Sequence, residues 1–365
     1  MRPSARSTAC HFLMALCRPG FESECANELI SHLARTGING RSTLSLESGQ
    51  LRIALDNLHP FDALDRAIRL VSLTFARQLS FGFAEVHGLD GKDRVSPLMA
   101  AARLAGTPFS AILPEAADGA VGRPLAAICR RLQAPLERGF DRHSLVRPRR
   151  GHLPRLNILL AAPGSAWLGL SSADNGSPWP MGIPRLRMPS QAPSRSTLKL
   201  AEALLTLLTP AELEASMRAG QRAVDLGAAP GGWSWQLAHR GLHVTAVDNG
   251  PMAAQVMATG MIEHVRADGF TWRPRATVDW LVCDMVEQPA RISRLVADWV
   301  ACGRARRAIF NLKLPMKKRL AEIDVCRGLI RKRMHQASLG CELRIRQLYH
   351  DREEVTAYLE ARPSS

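Results

Sequence analysis

The sequence predicts a chain in two parts: an α+β region followed by an α/β domain built on a mostly parallel sheet. Three observations carry this reading. From residue 196 onward, short apolar strands alternate with helix-period segments, the pattern of a parallel sheet with helical crossovers. Before that point, a stretch rich in Pro, Gly and Ser at 173–195 breaks the periodicity. Within the second part, one strand runs directly into a glycine-rich turn that opens a helix, at 224–233.

The first segment, 1–82, alternates strand and helix signals. Phe12–Cys17 is a short apolar run, and Phe21–Arg35 carries apolar residues at helical spacing (Phe21, Cys25, Leu29, Leu33). Leu51–Leu55 reads as a strand, Pro60–Leu70 as a helix and Thr74–Phe81 as a strand. This order predicts a small α+β sandwich of ferredoxin-like type. In the second segment, 83–172, Val95–Leu104 and Leu125–Arg138 are helical. Phe109–Leu113, Leu156–Ala161 and Ala166–Leu170 are strands, the last two paired around Pro163-Gly164. The basic run RPRRGHLPR, residues 147–155, is expected to track phosphates. The 173–195 stretch contains Trp179, Met181, Ile183 and Leu186, so it reads as a linker that packs on the domain after it.

In the domain at 196–365 the predicted strands are Ala223–Leu226, His243–Asp248, Ile262–Arg266, Val278–Cys283 and Ala308–Lys313, with Glu342–Leu348 and Glu354–Leu359 closing a seven-stranded, Rossmann-like sheet. The predicted helices are Leu198–Leu208, Trp233–Ala238, Ala290–Cys302 and Lys317–Ala337. The final two strands follow each other without a helix, which predicts an antiparallel last strand.

Composition narrows the function. Of 365 residues, 48 are Lys or Arg and 33 are Asp or Glu, a net charge of +15, which points to a polyanionic partner and most simply to nucleic acid. No apolar run approaches the roughly 20 residues of a membrane span. The early arginines Arg2 and Arg6 and the short run after them have no secretory cleavage pattern, so the start reads as a tail before the first strand. The eight cysteines form no CxxC pair, and no Cys/His cluster has ligand spacing, so they read as reduced core residues of a cytoplasmic protein without a metal site.

The sharpest motif is VDLGAAPGGW at 224–233. Gly227, Gly231 and Gly232 allow close backbone approach to a ligand, at the carboxyl end of a strand where open α/β sheets bind. A dinucleotide site would read GxGxxG; here Pro230 removes an amide from the turn, which suits a ligand without phosphate such as S-adenosylmethionine. Asp248, at the end of the next strand, is positioned to accept from ribose hydroxyls, and Asp268 to accept from an adenine amino group. Strands four and five end at Asp284 and Lys313. A lysine closing an apolar strand is costly unless it is paired or used. A ribose hydroxyl is a poor nucleophile, and in-line methyl transfer to it is helped by a base that takes the proton. Lys313 suits that role if burial and a second cation, Lys199, lower its pKa, with Asp284 and a carboxylate from Glu353-Glu354 orienting the lysines.

These residues resemble the Lys-Asp-Lys-Glu tetrad of the FtsJ-like ribose 2′-O-methyltransferases. Longer strings are closer still to the RlmM family: MGIPRL at 181–186, APSRSTLKL at 192–200, VDNGPM at 247–252, CDMVE at 283–287, FNLKLPMKKR at 310–319 and QLYHDREEVT at 347–356, with CRPGFE at 17–22 and FARQ at 75–78 further upstream. The resemblance implies 2′-O-methylation of a cytidine in 23S ribosomal RNA, free or in a pre-ribosomal particle, by a monomer with an amino-terminal THUMP RNA-binding domain, for which the basic 83–172 segment is the candidate. It implies that Ser196, Ala229, Pro230, Gly231, Gly232, Asp248, Asp268 and Asp284 contact S-adenosylmethionine. Lys313 is then the proton acceptor, and Lys199, Asp284 and Glu354 complete the tetrad. Glu354 is chosen over Glu353 because it precedes Val355, matching the Glu-Val step of the wider family. Ala229 departs from the family, whose members carry cysteine there. The competing reading is a non-catalytic RNA-binding or ribosome-assembly factor on the same fold; it calls for a broken tetrad, and the tetrad is complete. A nicotinamide oxidoreductase lacks its glycine pattern here.

Overall fold

The computed structural model describes residues 7–89, 91–148 and 153–363. Arg2 and Arg6 of the amino-terminal tail, and Arg149, Arg150 and His152 of the basic run, lie outside the described residues. The chain divides into two compact units, 1–183 and 184–365.

In the first unit, β1 (Ala9–Leu16), α1 (Glu22–Arg35), β2 (Gly40–Leu44), β3 (Gln50–Pro60), α2 (Phe61–Ala67) and β4 (Gln78–His87) are followed by α3 (Val95–Ala102), β5 (Ile112–Glu115), α4 (Gly122–Arg142), β6 (Arg155–Ala162) and β7 (Ser165–Ser171). The first six elements make a β-α-β-β-α-β unit, one strand more than the sequence shows. The extra strand, β2, lies at the sheet edge with no fully buried residue, so it leaves no apolar alternation to read. One seven-stranded sheet, ordered β2-β3-β1-β4-β7-β6-β5, runs through the whole unit. The expected boundary at residue 82 therefore does not separate two bodies: it falls inside β4, which pairs with β1 on one side and β7 on the other.

The 173–195 stretch is also divided differently from expectation. Its first part packs within the amino-terminal unit. The Asn175 side chain donates to the Ile68 carbonyl at 2.8 Å, and buried Glu115 accepts from the Met181 amide at 2.7 Å. Arg155, counted above among RNA-facing residues, is spent here. Its guanidinium donates to the carbonyls of Ser172, Ala173, Gly176 and Ser177 at 2.8–3.0 Å, satisfying loop backbone that burial would otherwise leave costly.

The second unit contains α5 (Ser196–Leu207), α6 (Pro210–Ser216), β8 (Arg222–Leu226), α7 (Gly232–Ala238), β9 (His243–Val247), α8 (Ala254–Met257), β10 (Ile262–Val265), β11 (Val278–Cys283), α9 (Pro289–Ala301), β12 (Ala305–Lys313), α10 (Arg319–Gln336), β13 (Leu339–Arg346) and β14 (Glu354–Pro363). The strand order is β10-β9-β8-β11-β12-β14-β13. β8 to β12 are parallel, and β14 runs antiparallel to both neighbours, as the missing crossover predicts. Leu200, Leu204, Trp233 and Leu237 from the helices bury against Trp280, Val282, Ile309 and Tyr358 from the strands. Trp280 is fully enclosed, with its indole N–H donated to the Ser216 carbonyl at 3.0 Å. α6 starts with a capping box, Thr209 and Glu212 each taking an amide of the first turn, worth about 1 kcal/mol.

The glycine-rich turn is locked by a buried pair. Asp225, 1% exposed, accepts from the Ser234 hydroxyl of α7 at 2.7 Å. Burial pushes its carboxyl up to about 7, helped by the charges of Asp284 and Asp248 and opposed by the Ser234 hydrogen bond. The folded chain thus holds this proton more tightly than an unfolded chain, in which an aspartate ionises near pH 4. Its contribution to stability is full below that pH and declines as pH rises toward about 7. Asp225→Asn keeps the acceptor and removes the titration. Its Tm relative to the parent is expected to be higher at about pH 8 than at about pH 5, by the equivalent of a few kcal/mol. An equal difference at both pH values in thermal melts contradicts the assignment.

Candidate active site

The site is built at the carboxyl ends of the parallel strands of the second unit. β8 delivers the turn Gly227–Gly231. Gly227 has φ +75° and Gly231 φ +111°, left-handed values that side chains resist. A Cβ at Gly227 would lie 2.5 Å from Met285 Cγ, and one at Gly232 2.1 Å from Ser196 Oγ, so these glycines permit approaches that no other residue allows. At the end of β9, Asp248 braces the turn: it accepts from the Ala229 amide at 3.0 Å and from the Gly250 amide at 2.7 Å. Beyond β10, Asp268 accepts from the Phe270 amide at 2.9 Å.

These loops enclose a cavity of about 390 Å³ lined by Gly227, Ala229, Val247, Asp248, Asn249, Ala267, Asp268, Gly269, Phe270, Asp284, Met285, Val286 and Glu287. Of the residues singled out from sequence, Gly227, Ala229, Asp248, Asp268 and Asp284 are on its wall. Ser196, Pro230, Gly231 and Gly232 are not; they form the turn that carries Ala229 and its contact with the start of α5, where Thr197 Oγ1 donates to the Gly232 carbonyl at 3.1 Å. The donor set suits S-adenosylmethionine: two carboxylates, Asp248 and Asp268, at successive strand ends face the cavity, and the glycine turn leaves room for backbone contact. A larger concavity, about 740 Å³, lies elsewhere on the same unit, between β8–β10 and residues 272–278, and includes none of these groups.

Three charged side chains converge beside Asp284. Lys313 Nζ lies 2.8 Å from Asp284 Oδ1 and also contacts Glu354 Oε2. Lys199 Nζ lies 2.6 Å from Glu354 Oε1 and 3.3 Å from Asp284 Oδ2. Each carboxylate thus bridges both ammoniums, and two positive charges meet two negative ones. The pairing follows from register: Lys313 sits directly opposite Glu354 across β12 and β14. Glu353 points elsewhere, to Arg319 at 2.7 Å, so Glu354 is the carboxylate of the cluster. Lys199 and Glu354 are each 8% exposed, a degree of burial tolerable for charges only when they are paired.

The electrostatics differ from the sequence expectation at one point. Burial does pull the Lys313 ammonium down, but the charges and hydrogen bonds of Asp284 and Glu354 outweigh it and hold the group above the ordinary lysine range. Lys199 does not reverse this, because both carboxylates lie between the two lysines. Burial likewise pushes Asp284 up, and the ammoniums of Lys199 and Lys313, with hydrogen bonds from Lys313 and Asn311, more than offset it, leaving the carboxyl below its usual value. At rest, therefore, Lys313 is an ammonium and Asp284 a carboxylate.

Two residues of the site were not singled out from sequence. Asn311 donates to Asp284 Oδ1 at 2.6 Å, and Thr356 contacts Asn311 Oδ1 at 2.6 Å. The available signal was strand alternation: Asn311 stands two residues before Lys313 and Thr356 two after Glu354, on the same face. Among the described residues no cluster of His, Cys, Asp and Glu could hold a metal ion, and no helix is long and apolar enough to cross a membrane.

Comparison with known proteins identifies the family. A family model for FtsJ-like methyltransferases matches residues 192–305, and one for the RlmM ferredoxin-like domain matches 11–80. Among curated relatives, the ribosomal RNA large subunit methyltransferase M of Aromatoleum aromaticum is 53% identical, covering 97% of this chain and 96% of that protein. Those of Thauera aminoaromatica (49%; 97% and 97%) and Xanthomonas campestris (46%; 94% and 97%) are also similar over nearly their whole lengths. With its methyltransferase domain and nearly full-length kinship in place, the chain belongs to the ribosomal RNA large subunit methyltransferase M family and is an S-adenosylmethionine-dependent methyltransferase.

Proposed function

We propose that this protein methylates the 2′-hydroxyl of a cytidine in 23S ribosomal RNA, free or within a pre-ribosomal particle in the cytoplasm, with Lys313 as the proton acceptor. The observation that carries the reading is the quartet of Lys199, Lys313, Asp284 and Glu354, in mutual contact and placed so that Asp284 belongs both to the quartet and to the wall of the cavity.

In this reading Asp248 and Asp268 hold the hydroxyls and the amino group of the adenosine part of S-adenosylmethionine, and the turn from Gly227 to Gly232 holds its amino-acid end. Bound there, the cofactor supplies an electrophilic methyl group on a positively charged sulfonium. Lys313 is an ammonium at rest, so it works as a base only after giving up that proton to solvent as the complex forms. An additional cation in the cavity and exclusion of water both weaken its hold on the proton. Its side chain, 26% exposed, is the more accessible of the two lysines, so it is the one that faces an incoming hydroxyl. Lys199, 10% exposed by side chain, stays with Glu354 and keeps the carboxylates from pulling Lys313 fully back. Asp284 holds the amine at the cavity edge. The ribose oxygen, losing its proton to Lys313 Nζ as the new O–CH₃ bond forms and the methyl's bond to sulfur breaks with its electron pair left on sulfur, becomes nucleophilic only in the transition state. The excess of 15 positive charges suits an RNA substrate. The amino-terminal unit, with its ferredoxin-like part and the 83–172 segment read as THUMP-like, is assigned to RNA docking.

Lys313→Ala is expected to abolish methyl transfer, by about 100-fold or more, while S-adenosylmethionine affinity by calorimetry stays within a few-fold. A fully active variant removes this amine from the mechanism. Asp248→Ala is expected to weaken cofactor binding by about tenfold or more, since it loses the ribose acceptor and the brace on the Ala229 amide. Because Lys313 is held above the ordinary lysine range in the free enzyme, kcat/KM is expected to climb about tenfold per pH unit through about pH 9, with kcat levelling at lower pH. A kcat/KM profile flat from about pH 7 upward contradicts a lysine base. Mapping of 2′-O-methyl marks on 23S RNA from cells with and without the gene tests the substrate: loss of one cytidine mark supports the reading, and an unchanged map overturns it.

A further inference from the structure

Behind the quartet, three buried polar side chains form a line that needs one hydrogen more than ordinary ionisation provides. Asn311, Thr356 and Asp351 are 0%, 0% and 1% exposed. Asn311 sits opposite Thr356 in the β12–β14 register, one step behind the Lys313–Glu354 pair. Asn311 Nδ2 donates to Asp284 Oδ1 at 2.6 Å. Thr356 Oγ1 lies 2.6 Å from Asn311 Oδ1, and 3.1 and 3.2 Å from Oδ1 and Oδ2 of Asp351. Asp351 Oδ2 already accepts from the Leu348 amide at 2.9 Å.

The hydrogens can be apportioned. Asp284, ionised between two ammoniums, only accepts, so Asn311 must present its amino group there and turn its carbonyl to Thr356. That carbonyl also only accepts, so it takes the single hydroxyl hydrogen of Thr356. The Thr356 oxygen then faces Asp351 with lone pairs alone. Two oxygens at 3.1 Å inside the protein repel unless a hydrogen lies between them, and only Asp351 remains to supply it. We propose that Asp351 is a neutral carboxylic acid whose proton, on Oδ1, anchors a one-way chain Asp351→Thr356→Asn311→Asp284 that positions Asp284, and through it Lys313, for methyl transfer. Asp351, Thr356 and Asn311 are positioning residues in this scheme; none touches the reacting atoms. The electrostatics agree: burial pushes the Asp351 carboxyl well up, Glu354 and Glu202 add to it, and Lys199 opposes it. A neutral Asp351 also leaves the charge balance of the quartet undisturbed by a third carboxylate close to Glu354. The consequence for rate rests on the role proposed for Lys313; the protonation of Asp351 does not.

Two measurements on the intact protein test this. The infrared difference spectrum of the parent minus Asp351→Asn, at neutral pH, is expected to show a carboxylic acid C=O band lost from the variant. Asp225 and Glu115, whose carboxyls are also raised by burial, cancel in the difference. Absence of that band overturns the assignment. In steady-state kinetics, Thr356→Val cuts the chain at nearly constant shape and is expected to lower kcat by about tenfold, with the KM for S-adenosylmethionine changed less than about threefold. Thr356→Ser is expected to restore the rate, and Asp351→Asn, which can still donate, to recover most of what Asp351→Leu loses. A parental kcat in Thr356→Val, or an Asp351→Asn variant as slow as Asp351→Leu, overturns the positioning role. Should Lys313→Ala prove active, the lysine reading fails while the infrared band is still expected.

Discussion

The arrangement of the second unit turns on one interaction, the mutual bridging of two lysines by two carboxylates at the edge of a parallel sheet. Charges this deeply placed cost several kcal/mol each to desolvate, and only close pairing offsets that cost. The pairing in turn demands that β11, β12, β14 and α5 hold fixed positions, since each delivers one member: Asp284, Lys313, Glu354 and Lys199. The antiparallel final strand has its reason here. Inserted between β12 and β13, β14 sets Glu354 directly across from Lys313. A parallel strand reached by a crossover would bring its opposite end to this edge.

The same quartet joins two tasks. Asp284 follows the last residue of β11 and is shared between the cavity and the lysines, so in the proposed mechanism occupancy of the cavity and the state of the amine are coupled through one carboxylate. In the proposed mechanism, an amine held as ammonium at rest and freed only in the complex restricts base chemistry to the moment when donor and acceptor are both present. Neutrality of the quartet has a further effect: it places no net negative charge at the point where an RNA phosphate backbone must approach.

Much of this was legible in the sequence because it rests on local chemistry. The turn at 224–233 announces itself through glycines whose backbone angles and close contacts the structure requires, and the strand ends at Asp248, Asp284 and Lys313 follow from apolar periodicity. What was illegible depends on pairing or packing at a distance. β2 is an exposed edge strand held by β3 alone and has no apolar alternation. The single sheet of the first unit arises from β4 pairing with β7, some 85 residues apart, which no local pattern reports. Arg155 looked like an RNA contact by composition and is a clamp on loop carbonyls by geometry. The direction of the Lys313 shift was misjudged because the sequence names the two carboxylates but not their placement, each in contact with both lysines.

The claim on which the rest depends is that the amine at position 313 takes the ribose proton. Chemical rescue tests it most directly: Lys313→Ala is assayed for methyl transfer with a series of small primary alkylamines of graded basicity. The account expects saturable rescue whose rate increases with the basicity of the free amine. Rescue indifferent to amine basicity, or none from any amine small enough to enter the space left by the side chain, would contradict it.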